Sequence, residues 1–317
     1  MSGEAAAAVP ARAAKGAVFD RAFEALCFGA ATLLLVALVG VMASLTVGGW
    51  PAFKAFGLGF LTSAEWDPVA EVYGALGAIV GTVVTAGLAL LFALPLALGV
   101  AIFLVELCPA PLRRPIGMAV ELLAGIPSIV YGMWGLFVFA PWFARHVQMP
   151  IMMAAEPGSL LETITAGVPN GANILTASMI LAIMILPFIA ATLRELLLTV
   201  PVHLRESAYG LGSTTYETVA KVSLPYIRVS AIGAVMLGLG RALGETMAVT
   251  FIIGNAHGLP TSIFASGSTI ASTIANEFTE ATHELHTASL IALGLVLFLI
   301  TFTVLGLARA LIGRKPT

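Results

Sequence analysis

Charge is scarce in this sequence: only 10% of its 317 residues are charged, 59% are hydrophobic, and the mean hydropathy is +1.01. A soluble protein of this length needs far more polar surface to cover its core, so that class is excluded. A net charge of −2 leaves no basic surplus for nucleic acid. Cysteine is nearly absent: Cys27 and Cys108 are too few and too far apart for a metal cluster, and they read as reduced packing thiols. No G-x4-G-K-[ST] loop occurs, nor a dinucleotide fingerprint, nor a nucleophile–base constellation. The chain is therefore not read as an enzyme and binds no cofactor of its own. If ATP drives it, a partner polypeptide must hold the ATP and Mg.

What the chain has is long uncharged apolar runs. A membrane crossing takes about 20 residues to span roughly 30 Å of hydrocarbon. Leu26–Val47, Val72–Val105, Leu122–Ala144, Thr163–Leu193 (helical from about Asn173), Val229–Ile253 and Thr287–Ala308 each satisfy this, predicting six spans. The first run is longer than a signal-peptide core and lacks a small-residue cleavage site, so it reads as a retained helix. The first dozen residues, rich in Ala, read as a disordered tail. The expected organisation is an N-terminal tail over 1–22, a first helix and external loop over 23–72, a five-helix core over 73–312 containing a polar loop at 201–225, and a C-terminal tail over 313–317.

The basic residues orient these spans. Arg12, Lys15, Arg21, Arg113, Arg114, Arg194, Arg205, Lys221, Arg228, Arg309, Arg314 and Lys315 fall before, between or after spans on one side, while the alternate loops hold only Lys54 and Arg145. The positive-inside rule then places both termini and the 206–225 loop in the cytoplasm.

Several spans are interrupted, by Pro95, by Gly125-Ile-Pro127 and by Pro187. Such breaks occur both as ordinary kinks and where helices bend around a cavity. Gly77 and Gly81 form a G-x-x-x-G spacing that lets helix backbones approach closely. Charge enters an apolar span at one place only, Arg241 and Glu245. A lone Arg at a helix centre costs about 2.5–3.5 kcal/mol on insertion scales. At four residues' separation the two share a helix face and are expected to pair. Two roles fit: a site lining a substrate path, where a guanidinium offers forked donors to an oxyanion, or a structural ion pair locking span five to a neighbour.

Before span five comes a polar loop. Pro201 and Glu206 sit where a short helix is expected to start, and Leu204, Ala208 and Leu211 are spaced to form a small apolar face. Gly212 permits a sharp turn, Thr214-x-x-Glu217 matches a capping box, and Pro225 is expected to end the second helix. The spacing Glu206-Ser207-Ala208, Gly212, Val222-Ser223-Leu224-Pro225 resembles the E-A-A-x3-G-x9-I-x-L-P coupling loop of ABC importer permeases. Ser207 stands for the first Ala and Val222 for the Ile. An ordinary amphipathic interfacial loop is the plain alternative.

A narrower resemblance covers most of the chain from about Trp50 to the end of span six. Residues 237–249 (LGLGRALGETMAV) with Phe251–Asn255, residues 121–141 (ELLAGIPSIVYGMWGLFVFAP), Trp66-Asp67 and Ala275–Phe278 are similar to the PstC-type permeases of phosphate-specific ABC importers. The resemblance implies an all-α polytopic fold of the type I importer permeases in the bacterial cytoplasmic membrane. It implies a homologous second permease subunit, a cytoplasmic ATPase dimer gripping the 206–225 loop, and an extracytoplasmic phosphate-binding protein. It also implies that Arg241 and Glu245 line the phosphate path. Rival readings are a permease for molybdate or sulfate, a proton-coupled secondary transporter using Arg241 and Glu245 as a relay, and a membrane scaffold. Among the remaining polar residues, Glu280, His283, Glu284 and His286 read as a solvated loop, Glu106 and Glu121 as solvated loop ends, and Lys54, Trp50, Trp66 and Tyr73 as interfacial anchors.

Overall fold

The computed structural model describes residues 11–313, so most of the expected N-terminal tail (1–10) and the last four residues lie outside the described residues. The chain divides into two compact units, Met1–Gly48 and Gly49–Thr317. Over its described residues the first unit is one helix, α1 (Ala11–Phe56), which continues into the second. Every side chain from Phe19 to Ser44 is exposed. A helical stretch apolar all round with no side chain buried is suited to lipid, where its own backbone hydrogen bonds are complete.

The second unit opens with α2 (Gly59–Thr62) and a small antiparallel hairpin, β1 (Trp66–Asp67) and β2 (Val72–Tyr73), with Trp66 opposite Tyr73. Asp67 Oδ1 accepts from the N–H groups of Val69 and Ala70 at 2.8 and 3.2 Å, an Asx-type turn that closes the hairpin. There follow α3 (Leu76–Ile102), α4 (Ala110–Ala124), α5 (Ser128–Trp134), α6 (Ala140–Phe143), α7 (Met149–Ala154), α8 (Leu160–Thr165) and α9 (Ile174–Leu198). The polar loop holds α10 (Val202–Gly210) and α11 (Thr215–Thr218), and the chain ends with α12 (Leu224–Leu243), α13 (Met247–Ile252), α14 (Ile270–Glu277) and α15 (Glu284–Gly313). Among the described residues five helices are long and apolar enough to cross a bilayer, and a sixth crossing results if α4 and the Ser128–Ala154 segment, bent by 86°, serve as one span. The architecture is that of an all-α polytopic membrane protein.

The expected start of span four at Asn173 is set by a buried polar knot. Asn173 caps α9 by accepting from Thr176 N–H at 2.8 Å, while the fully buried Gln148 accepts from Gly171 N–H at 3.1 Å and donates to Val168 O at 2.9 Å. Pro95 and Pro187 lie inside unbroken helices, so the sharp interruption is the one at Gly125-Ile-Pro127. It falls at the start of the expected third span, because the residue before proline is pushed out of the α region.

α3 and α9 form the centre of the core. Ala86, Ala89, Ala93, Ala97 and Ala101 make a stripe of small side chains on α3, and Ile180, Leu181, Met184, Ile185, Ile189, Leu193 and Leu197 of α9 belong to the same buried cluster. Small residues on one helix let long ones on its neighbour interdigitate without strain. The Gly77–Gly81 spacing does something different from the expected helix pairing. A Cβ on Gly77 would meet Gly258 O at 2.5 Å and one on Gly81 would meet Ser268 O at 1.9 Å, so a loop, not a helix, lies on this face.

A second core sits at the start of α3, the end remote from the 201–225 loop. Trp66 and Tyr73 are buried in it rather than anchoring at an interface, whereas Trp50 and Lys54 are exposed. The cause is Glu277. Its Oε2 accepts from Trp66 Nε1–H at 2.8 Å and lies 2.8 Å from His286 Nε2, and its Oε1 lies 3.1 Å from His257 Nε2. Burying a carboxylate requires such donors. His286 is thus a core residue, which corrects the reading of the 280–286 stretch as wholly solvated. Among the described residues no group of His, Cys, Asp and Glu is arranged to hold a metal. Burial pushes the Tyr73 hydroxyl above its ordinary range, with nearby carboxylates adding to the effect. Trp66→Phe is expected to destabilise the protein by about 1–3 kcal/mol, the cost of leaving a buried acceptor short of a donor. A thermal unfolding midpoint in detergent reads this directly, and an unshifted midpoint rejects it.

Candidate functional site

Arg241 lies near the end of α12, with its guanidinium carbon 5.8 Å from the centre of the Phe188 ring on α9. The expected pairing with Glu245 is not formed: among the described residues no carboxylate lies within 4.0 Å of Arg241. The reason is local. α12 ends at Leu243, Gly244 serves as its cap, and a new helix starts at Met247, so the two residues no longer share a face. Glu245 Oε1 instead accepts from Ala248 N–H at 3.2 Å, satisfying one of the free donors at the start of α13. Single-helix spacing predicted an ion pair, and the helix break prevented it.

The two interrupted spans meet beside this point. Gly132 on α5 faces Ala248 on α13, where an added Cβ would come within 3.0 Å of the Ala248 Cα. Tyr131 Oη–H donates to Leu123 O at 2.9 Å, reaching back across the Gly125–Pro127 bend to a carbonyl whose α-helical donor would be Pro127, which has no N–H, and which Ile126 N–H reaches at 3.3 Å. Thus the Pro127–Trp134 and Arg241–Val249 segments, 110 residues apart in the chain between Tyr131 and Arg241, are packed together.

The 201–225 loop is a separate feature at the other end of α12, about 25 Å away at 1.5 Å per residue. Pro201 caps α10, but Glu206 falls in its second turn rather than over the free N–H groups. Glu206 and Ser207 are exposed and Ala208 is buried. Leu204 is half-buried, but Leu211 is 89% exposed, so the anticipated apolar face is incomplete. Gly212 has φ +86°, which accounts for a glycine at the turn. The capping box forms as expected: Glu217 N–H donates to Thr214 Oγ1 at 3.3 Å and Thr214 N–H to Glu217 Oε2 at 3.1 Å.

Pro225 does not stop the second helix. α11 passes through a π turn at Val219–Ser223 directly into α12, with Pro225 in the first turn of α12. The wider turn absorbs the hydrogen bond that proline lacks. Val222 and Leu224 are half-buried and Pro225 is exposed, so the loop presents Glu206, Ser207, Leu211, Tyr216 and Pro225 outward. The result is a compact polar knob continuous with the helix that carries Arg241 in its last turn.

Sequence reasoning missed two ion pairs behind this knob. Arg205 Nη1 lies 3.3 Å from Glu106 Oε1, and Arg194 Nη1 donates to Glu121 Oε1 at 2.9 Å. Neither glutamate is merely a solvated loop end. Basic residues in the facing loop were the only signal in the sequence, and it gave no pairing.

Comparison with known proteins identifies the family. Residues 97–315 match the family described as binding-protein-dependent transport system inner membrane component. A protein of Mesorhizobium japonicum named phosphate transport system permease protein PstC is 57% identical over 300 residues, covering 94% of this chain and 91% of that one. A protein of the same name from Pasteurella multocida is 52% identical over 284 residues, covering 90% and 88%. Among solved structures, a chain of a bacterial alginate ABC transporter, in complex with alginate pentasaccharide-bound periplasmic protein, superposes with a TM-score of 0.61 at 17% identity, covering 95% of this chain and 96% of that one. That likeness concerns the fold alone. On its own sequence, over most of its length, this chain belongs to the family of binding-protein-dependent transport system inner membrane components and is similar within it to the PstC-type permeases.

Proposed function

We propose that this chain is the permease subunit of an ATP-driven importer that carries inorganic phosphate across the bacterial cytoplasmic membrane. The observation that carries the reading is Arg241: a guanidinium in an apolar span, beside the meeting point of two broken helices, with no carboxylate partner among the described residues. A half-buried charge in an apolar span that the protein does not neutralise calls for a partner, and forked donors match an oxyanion. The similarity to PstC-type relatives supports phosphate as that oxyanion.

In this reading the chain pairs with a homologous second permease subunit, and lipid surrounds the pair. A cytoplasmic ATPase dimer, which holds the ATP and Mg, grips the loop built from Glu206, Ser207, Ala208, Gly212, Val222, Leu224 and Pro225. An extracytoplasmic binding protein delivers phosphate and does most of the selecting, since one Arg discriminates little between oxyanions. The core runs over residues 73–312. Glu245 contributes by fixing the start of α13, which keeps the helix break open next to Arg241.

The test is uptake of radiolabelled phosphate into vesicles that hold the assembled transporter. Uptake is expected to require ATP and to resist competition by excess sulfate or molybdate. Competition by either would make this a permease for another oxyanion. Uphill movement on an ion gradient by the chain alone would make it a secondary transporter.

A further inference from the structure

Glu106 and Arg205 join parts of the molecule that no local pattern connects. Glu106 sits in the π turn Phe103–Leu107 that ends α3, its side chain only 7% exposed, between the buried Leu104 and Val105 and the loop that leads into α4. Arg205, with its side chain 18% exposed, projects from α10 in the polar knob. One guanidinium nitrogen, Nη1, meets Glu106 Oε1 at 3.3 Å, and the other, Nη2, donates to Leu197 O in the last turn of α9. A single side chain therefore ties the knob to the ends of both central core helices. Arg194 and Arg113 are otherwise engaged, Arg194 with Glu121 and Glu195, and Arg113 with Cys108 O.

The contact with Glu106 is ionic in character, because Glu106 Oε1 takes no well-aligned hydrogen bond. A buried carboxylate held by one opposite charge strongly resists separation from it, since either group left alone is an uncompensated charge. The carbonyl of Leu197, at the end of α9, adds the negative pole of that helix to the same guanidinium. The chain itself connects the knob to the core twice, to α9 through residues 199–201 and to α12 through the continuous α11–α12 helix, which leads toward Arg241. Neither chain connection runs through α3, so without the Glu106 contact a displacement of the knob would shear α9 and α12 against α3.

We propose that the Glu106–Arg205 pair is a coupling strut: it makes α3 move with the knob together with the chain-linked α9 and α12, so that motion imposed on the loop turns the core as one piece. Arg205 and Glu106 are positioning residues, acting through the helices they join and not on the substrate. The inference rests on the proposed importer function and names how its loop acts on its core.

The experiment measures phosphate uptake and ATP hydrolysis together, in vesicles holding the complete transporter, for wild type, Glu106→Gln, Glu106→Asp and Arg205→Lys. Glu106→Gln keeps the shape and removes the charge, and it is expected to lower phosphate moved per ATP hydrolysed by about tenfold, the usual size of a coupling between sites. Glu106→Asp keeps the charge and is expected to restore most of that ratio. Arg205→Lys keeps the charge but cannot reach both partners with a fork, and an intermediate ratio is expected. The strut is overturned if the ratio stays at the wild-type value in Glu106→Gln, if Glu106→Asp is damaged as badly, or if the neutral variant simply fails to assemble while the ratio in Arg205→Lys is unchanged. Failure of the wild type itself to couple uptake to ATP would instead sink the importer reading, a result distinct from all of these.

Discussion

Replacing Arg241 with glutamine is expected to reduce phosphate uptake by on the order of 100-fold, while the chain still inserts and still binds its partner subunits. The size follows from the setting. Truncating one member of a buried, hydrogen-bonded charge pair costs about 2–5 kcal/mol, and about 1.4 kcal/mol is a tenfold change. If phosphate supplies the opposite charge during passage, removing the guanidinium leaves the passing anion without that partner. Insertion itself becomes easier, because a lone Arg in a span carries an insertion penalty of about 2.5–3.5 kcal/mol. A structural role predicts a different pattern. Among the described residues, Phe188 is the side chain the guanidinium engages, so loss of a cation–π contact alone costs about 0.5–2 kcal/mol and shows in stability rather than in uptake.

Glu245→Gln separates the two residues that sequence spacing had joined. A glutamine side chain still offers an oxygen to Ala248 N–H, so the start of α13 survives and uptake is expected to fall far less than in Arg241→Gln. Had the two formed an ion pair, each substitution would strand a buried charge and the losses would be similar. Uptake assays on both variants in parallel decide the matter: equal losses restore the ion pair, and unchanged uptake in Arg241→Gln removes the path role.

Features governed by neighbours along the chain were legible in advance. Hydropathy located the spans, Asn173 marked the start of α9, and Thr214-x-x-Glu217 marked the start of α11, because a cap is formed by residues three apart. Each failure involved a competition that a linear pattern does not encode. Pro225 looked like a stop, yet the preceding π turn accommodates it. Arg241 and Glu245 looked like a pair, yet Gly244 ends the helix and the backbone N–H of Ala248 claims the carboxylate. Trp66 bonds to Glu277 across 211 residues and Arg205 meets Glu106 from a different loop. Aromatic residues near a span end suit a membrane interface as well as a buried knot. Only the partner decides, and the partner is distant in sequence.

The second large effect concerns Gly81. Gly81→Ala is expected to destabilise the protein by about 3 kcal/mol, at the top of the usual range for inserting atoms into a packed core. The new Cβ would stand 1.9 Å from Ser268 O, a backbone atom with no side-chain freedom to yield. Nor is the loop free to retreat. Gly267 N–H donates to Ile253 O at 3.0 Å, Ala256 N–H to Gly267 O at 3.1 Å, and Ile270 N–H to Thr82 Oγ1 on α3 itself at 2.9 Å. Moving Ser268 away strains bonds on both sides of it, including the cap of α14, where Ser272 N–H donates to Thr269 Oγ1 at 3.1 Å. Gly87, further along α3, is the control, because nothing lies within 4 Å of the position an added methyl would take. There alanine should be neutral or stabilising by about 0.5–1 kcal/mol, through helix propensity alone. Thermal unfolding of the two variants in the same detergent is the measurement. Equal midpoints would mean that α3 shifts freely past the 254–269 loop, and the close approach between them would then contribute nothing to holding the core together.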